Sequence, residues 1–126
     1  MPTALPDAEL LIHLCGAAEW DDAQRAGVVR PESLSAVGFV HLSAPWQVHL
    51  PANRLFAGRA DLTALSVDPA ALHAPLYWEP GVPDDPESML FPHLYGPLPV
   101  AAVVEVRPYR PGPDGRFGPL IHRPFR

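Results

Sequence analysis

Apolar positions fall in short runs along this chain, and the spacing within the runs names the elements. Residues 9–15 (ELLIHLC) are almost wholly apolar, bounded by Asp7 and Gly16, and read as a buried strand. Residues 16–20 (GAAEW) open a helix that closes at Gly27, with Trp20, Ala23 and Gln24 on its inner face at helical spacing. Residues 28–30 are short and extended, ended by Pro31. Residues 38–43 (GFVHLS) return to period two: Phe39, His41 and Ser43 share one face, Val40 and Leu42 the other. Pro45 starts a helical stretch to about Gly58, and Pro51 within it predicts a kink or two short helices meeting.

Later strands dominate. Residues 62–67 (LTALSV) form one, followed by a short turn of helix over 68–72. Residues 76–79 (LYWE) form another, then an exposed Pro- and Asp-rich loop over 81–87. Residues 90–95 are extended, and residues 100–106 (VAAVVEV) make the last strand. Helical pieces come early and strands late, with too few crossovers for a doubly wound parallel sheet. The pattern predicts an α+β domain with a curved, mostly antiparallel sheet and two or three short helices.

Composition narrows the setting. At 126 residues, 48% hydrophobic and 18% charged, the chain suits one globular domain. Its 18 prolines are dispersed, which implies many short loops rather than one linker. The net charge of −5 argues against nucleic acid as the main partner. All nine basic residues are Arg, so a lysine Schiff base and a P-loop lysine are excluded. Five of those Arg (107, 110, 116, 123 and 126) fall in the last twenty residues, against Asp114 alone. The reading is a domain over 1–108 and a Pro- and Arg-rich tail over 109–126, either an extended strap or a solvated end. One cysteine, Cys15, makes no internal disulfide and points to a reducing cytoplasm. No signal peptide is expected at the N-terminus, and no apolar run is long enough to span a membrane.

Candidate chemistry sits in the strands. His93 and Tyr95 lie two apart, framed by Pro92, Gly96 and Pro97, so in extended chain they point into one space. His13 lies between Ile12 and Leu14, where a buried imidazole needs a partner for each nitrogen. His41 and Ser43 share a strand face. Glu79 follows Trp78, and desolvation against an aromatic would raise its pKa. Three chemistries use this set. Metal binding would use His13, His41 and His93 with Glu79, though no HxH or HExxH is present. Nucleophilic catalysis would use Cys15 or Ser43, though no GxSxG elbow is present. Binding of a nucleotide or sugar phosphate would use the His and Ser side chains as hydrogen-bonding groups.

The ordered blocks IHL, AEW, GFVHLS, ANRLFAGR, LTALSVDPAAL, LYWEP and LFPHLYGPLPVAAVVEV, from Leu10 to Val106, resemble the bacterial domain of unknown function 952 family. That family is grouped by fold with the ADP-ribosyltransferase superfamily. The resemblance implies a split, strongly curved sheet with a cleft for NAD or an ADP-ribose-like ligand. By position, it implies that His13 serves the adenosine side, and His41 with Ser43 the nicotinamide side. Glu79, or the His93–Tyr95 pair, would serve the ribose and an oxocarbenium-like transition state. An NAD-dependent transferase or glycohydrolase is the implied activity, although no STS triplet and no ExE occur. The alternatives are a non-catalytic ligand-binding or interaction domain, or a His-based metal enzyme.

Overall fold

The computed structural model describes residues 10–82, 85 and 87–120. The predicted start of the first strand at Glu9, part of the 81–87 loop and the tail beyond Leu120 lie outside the described residues. The elements, in chain order, begin with β1 (Leu11–Gly16), α1 (Ala17–Ala26), β2 (Val28–Val29) and α2 (Glu32–Val37). β3 (Val40–His41), α3 (His49–Leu55) and β4 (Leu62–Val67) follow. Then come a 3-10 turn (Pro69–Ala71), β5 (Leu76–Pro80), β6 (Leu90–Leu94) and β7 (Leu98–Pro99). A second 3-10 turn (Val100–Ala102) leads into β8 (Val103–Tyr109).

Every strand pairing among the described residues is antiparallel, in the orders β1-β4-β8, β2-β7 and β3-β6-β5. The α+β class and the mostly antiparallel sheet follow the sequence pattern. β4 is central and buried along its whole length, because apolar groups cover both faces. Leu65 and Val67 face one cluster with Leu11, Cys15, Val40, Leu42 and Leu94. Leu62 and Ala64 face a second, with Ile12, Val48, Ala52, Tyr109 and Phe117. Burying a Leu or Val side chain fully is worth about 1.5–3 kcal/mol, so the two clusters anchor the sheet from opposite sides.

The two larger sheets meet at a seam. The Leu42 amide donates to the Pro92 carbonyl at 3.1 Å. Pro92 has no N–H to return to the Leu42 carbonyl, so the β3–β6 ladder stops there. Beyond that point the chain bonds instead to β1: Ile12 donates to the Ser43 carbonyl at 2.7 Å, and Ser43 to the Ile12 carbonyl at 2.9 Å. One proline in a central strand thus splits the sheet.

Several predicted elements shift. α1 ends as expected, with Gly27 in the left-handed region at φ 85 that a side chain disfavours. The predicted inner face holds at Ala23 and Trp20, while Gln24 is exposed. The stretch from Pro45 is not one kinked helix. Residues 45–48 are turns, and Pro51 sits in the first turn of α3, where its missing N–H breaks no intrahelical bond. α2 was not expected. It is two turns long and closed by Gly38 in the left-handed region. The last strand begins at Val103, after the second 3-10 turn, and runs on to Tyr109.

Residues 110–120 form a strap across α3. The Asn53 side-chain amide donates to the Phe117 carbonyl at 3.0 Å, and the Phe117 amide donates back to Asn53 Oδ1 at 2.8 Å. Tyr109 and Phe117 pack at 5.0 Å between ring centroids, and the Tyr109 hydroxyl donates to the Gly118 carbonyl. These contacts bury Phe117, while residues 112–116 are exposed.

Candidate functional site

A cleft of about 300 Å³ lies over the seam. Its wall includes Ile12, His13, His41, Ser43, Phe91 and His93 from the strands, with Arg54, Phe56 and Arg59 from α3 and the turn after it. The strand register explains the convergence. His41 is opposite His93, and His93 is opposite Tyr77. Alternation then puts Phe39, His41 and Ser43 on the same side as Phe91, His93 and Tyr95. Val40, Leu42, Pro92 and Leu94 are left for the core.

His13 is buried, and its Nδ1 is 2.9 Å from the His41 carbonyl. A carbonyl only accepts, so Nδ1 carries the proton and Nε2 presents a bare lone pair. Nε2 is buried and has no protein partner. Burial holds the His13 pKa below its ordinary value, and the bond to His41 and the charge of Glu19 only partly oppose this. His13 is therefore a neutral acceptor in the wall of a cleft.

His93 is also buried, and it is fixed on two sides. Its Nδ1 donates to Glu79 Oε1 at 2.8 Å, and its ring stacks on Phe39 at 3.9 Å between centroids, tilted by 14°. Nε2 is the nitrogen left for the cleft. The Tyr95 hydroxyl donates to the same carboxylate oxygen at 2.6 Å. Glu79 and Tyr95 stand behind His93 and do not line the cleft. The bond from Tyr95, then that from His93, holds the Glu79 carboxyl below its ordinary pKa, and Glu79 in turn raises the Tyr95 phenol. The rise expected for Glu79 from Trp78 is thus reversed. Adjacent strand residues face opposite sides, so Trp78 is not the group against Glu79; His93 and Tyr95 are.

The His41 ring meets the His93 ring edge-on at 5.5 Å and 90°, and the Phe39 ring at 5.0 Å. The His41 side chain is exposed, yet partial desolvation against the cleft wall first, then His93, His13 and Arg54, holds it below its ordinary pKa. His13, His41, Ser43 and His93 therefore share the cleft, with Glu79 and Tyr95 one layer behind. Cys15 is buried in the core, and desolvation pushes its thiol up to about 12, so it holds no thiolate at neutral pH. Among the described residues, no group of three or more His, Cys, Asp or Glu side chains could hold a metal ion.

Phe39, Phe91 and Arg54 were not singled out for the site from the sequence. Arg54 did leave a signal. The positions three and four away in sequence are Leu50, Pro51, Ala57 and Gly58, the last two beyond the end of α3, so no local acid can neutralise it.

A split antiparallel sheet with a histidine-lined cleft at its seam defines this small α+β protein. The chain belongs to the family described as Protein of unknown function (DUF952), whose profile matches residues 14–106. It is similar to the crystal structure of protein CC0527 from Caulobacter crescentus. The identity is 34% over 86% of this chain and 92% of that one, with a TM-score of 0.74. The solution NMR structure of CC0527 is similar as well, at 34% identity over 86% and 90% of the two chains, with a TM-score of 0.72. A search of the curated proteins gave no match. No helix among the described residues is long and apolar enough to cross a membrane.

Proposed function

We propose that the cleft binds NAD or an ADP-ribose-like ligand, in keeping with a kinship to the ADP-ribosyltransferase fold, in a reducing cytoplasm. The observation that carries this reading is the buried, unpartnered His13 Nε2 in the cleft wall. A buried acceptor without a donor costs about 1–3 kcal/mol, so its retention is explained by a ligand that supplies one. Ribose hydroxyls are such donors. His93 Nε2 offers a second acceptor, Ser43 a hydroxyl, and Phe56 and Phe91 an apolar surface for a base. The cleft volume is at the small end for ligand pockets, so a nucleotide fills it with one portion and extends beyond it with the rest.

Cleavage or transfer is the further part of this reading. Glu79 meets the ligand only through His93. It fixes the Nδ1–H tautomer of His93, which leaves Nε2 as a general base. Nε2 would take the proton of a water or acceptor hydroxyl as its oxygen bonds to the ribose anomeric carbon. The bond from that carbon to the nicotinamide nitrogen breaks, and its electron pair leaves with neutral nicotinamide. A non-catalytic binding domain is the second reading, favoured by the placement of Glu79 outside the cleft wall.

Thermal melting with NAD, ADP-ribose and nicotinamide tests the ligand. At about 100 times the dissociation constant, binding adds roughly 2.7 kcal/mol of stability. A melting temperature unmoved by all three would remove the assignment.

A further inference from the structure

The cleft contains one cation that its surroundings leave unneutralised. Arg59 is committed to Asp61, with Nε to Oδ1 at 2.8 Å and Nη2 to Oδ2 at 2.7 Å. Arg54, on the last turn of α3, lines the same cleft, and among the described residues no carboxylate is within ion-pair distance of it.

The acids near the cleft are engaged or start other elements. Glu19 Oε1 accepts from the Gly16 amide at 2.6 Å at the start of α1, and Glu32 stands in the first turn of α2. Glu79 is behind His93, bonded to it and to Tyr95. The charged and titratable groups that face His41 are His13 from β1, His93 from β6 and Arg54 from α3. All three oppose a positive charge on its ring. Ser43 is buried beside them, also in the cleft wall.

We infer that Arg54 and His41 form a phosphate subsite in the cleft, and that a bound phosphate brings a proton onto His41. The inference rests on the nucleotide reading and names the part of the ligand held here: the phosphate of a phosphorylated ribose. Without ligand, desolvation of the ring first, and then His93, His13 and the Arg54 cation, disfavour the charged form of His41. A phosphate between His41 and Arg54 reverses the sign of the local charge and favours imidazolium. Arginine meets phosphate oxygens with two parallel N–H donors, and protonated His41 adds a charge-assisted bond. Occupancy is thereby linked to pH: acid strengthens phosphate binding through His41.

Calorimetric titration with inorganic pyrophosphate and with ADP-ribose tests this, at pH 6.5 and 8.0. Two buffers of different ionisation heat count the protons taken up, after correction for the ionisation of the probe. Wild type should take up protons on binding pyrophosphate and bind it more tightly at pH 6.5. R54Q should lose at least tenfold in affinity for both probes, and R54K should recover part of it. H41Q should abolish the proton uptake. Arg54 and His41 are both exposed, and the His13 bond uses only the His41 backbone, so the variants should melt near wild type. Equal affinity of R54Q and wild type, uptake unchanged in H41Q, or no pyrophosphate binding by wild type would each overturn the subsite. ADP-ribose binding unaffected by R54Q would overturn it while leaving the nucleotide reading intact. Proton-linked pyrophosphate binding with ADP-ribose no tighter would support the subsite and sink the nucleotide reading.

Discussion

His13→Leu should leave the fold about as stable as before at neutral pH and change how stability depends on acid. The His13 side chain makes one hydrogen bond, Nδ1 to the His41 carbonyl at 2.9 Å. Losing such a bond costs about 0.5–1.5 kcal/mol. The same substitution removes the orphaned Nε2, whose burial costs about 1–3 kcal/mol. Leucine is apolar and of similar size, so the cavity cost is small. The balance runs from about neutral to roughly 2 kcal/mol in favour of the variant. Acid adds a second signature. Burial lowers the folded-state pKa of His13, so between that value and the unfolded pKa near 6.5 the unfolded chain binds the proton and the native one does not. As pH is lowered through that window, stability decreases by up to about 1.4 kcal/mol per unit from this residue alone. The penalty is absent above the unfolded pKa and should vanish from His13→Leu. Urea unfolding of both proteins at pH 7.5, 6.0 and 5.0 measures both effects. A variant more than about 2 kcal/mol weaker at pH 7.5, with wild-type acid sensitivity, would refute the reasoning: it would mean that Nε2 has a partner in the folded protein.

Two other substitutions probe neighbouring features. Tyr95→Phe removes the foremost donor to Glu79, so the Glu79 carboxyl should titrate higher, towards its ordinary value. A carbon-13 NMR titration reads this, and an unmoved carboxyl would show that Tyr95 does not hold it. The stabilisation that Glu79 draws from its partners is present above its unfolded pKa and lost as pH falls through the folded one, so the variant should also unfold less steeply in acid. Asn53→Ala breaks both bonds to the Phe117 backbone and should cost roughly 1–3 kcal/mol, with faster hydrogen exchange at the Phe117 amide. Unchanged exchange there would mean that Tyr109 and Phe117 hold the strap without Asn53.

Long periodic segments were readable from the sequence because one physical signal governed each. β4 is an apolar run with cover on both faces, and α1 has a glycine where the backbone turns left-handed. α2 was not readable, since residues 32–37 bury no side chain fully and so show no strong apolar face. The strap was hidden by its composition. Pro and Arg suggest solvent, and the two aromatic residues that dock it, Tyr109 and Phe117, meet only in three dimensions. At the site, polar residues inside apolar strands marked His13, His41 and His93. The environment of Glu79 was misread because Trp78 is adjacent in sequence and on the opposite strand face. The contacts of Glu79 come from β6 and the residue after it, a pairing that only the register reveals.

The central claim is that a nucleotide-like ligand enters the cleft against His13, His41 and His93. Imidazole NMR during titration with ADP-ribose tests it most directly. The ring signals of those three histidines should shift together and saturably, while His49 and His73, which do not line the cleft, stay in place. His13 Nε2 should also move as an acceptor that has gained a donor. Saturable shifts confined to His49 or His73, or no shift at any of the five, would contradict the claim.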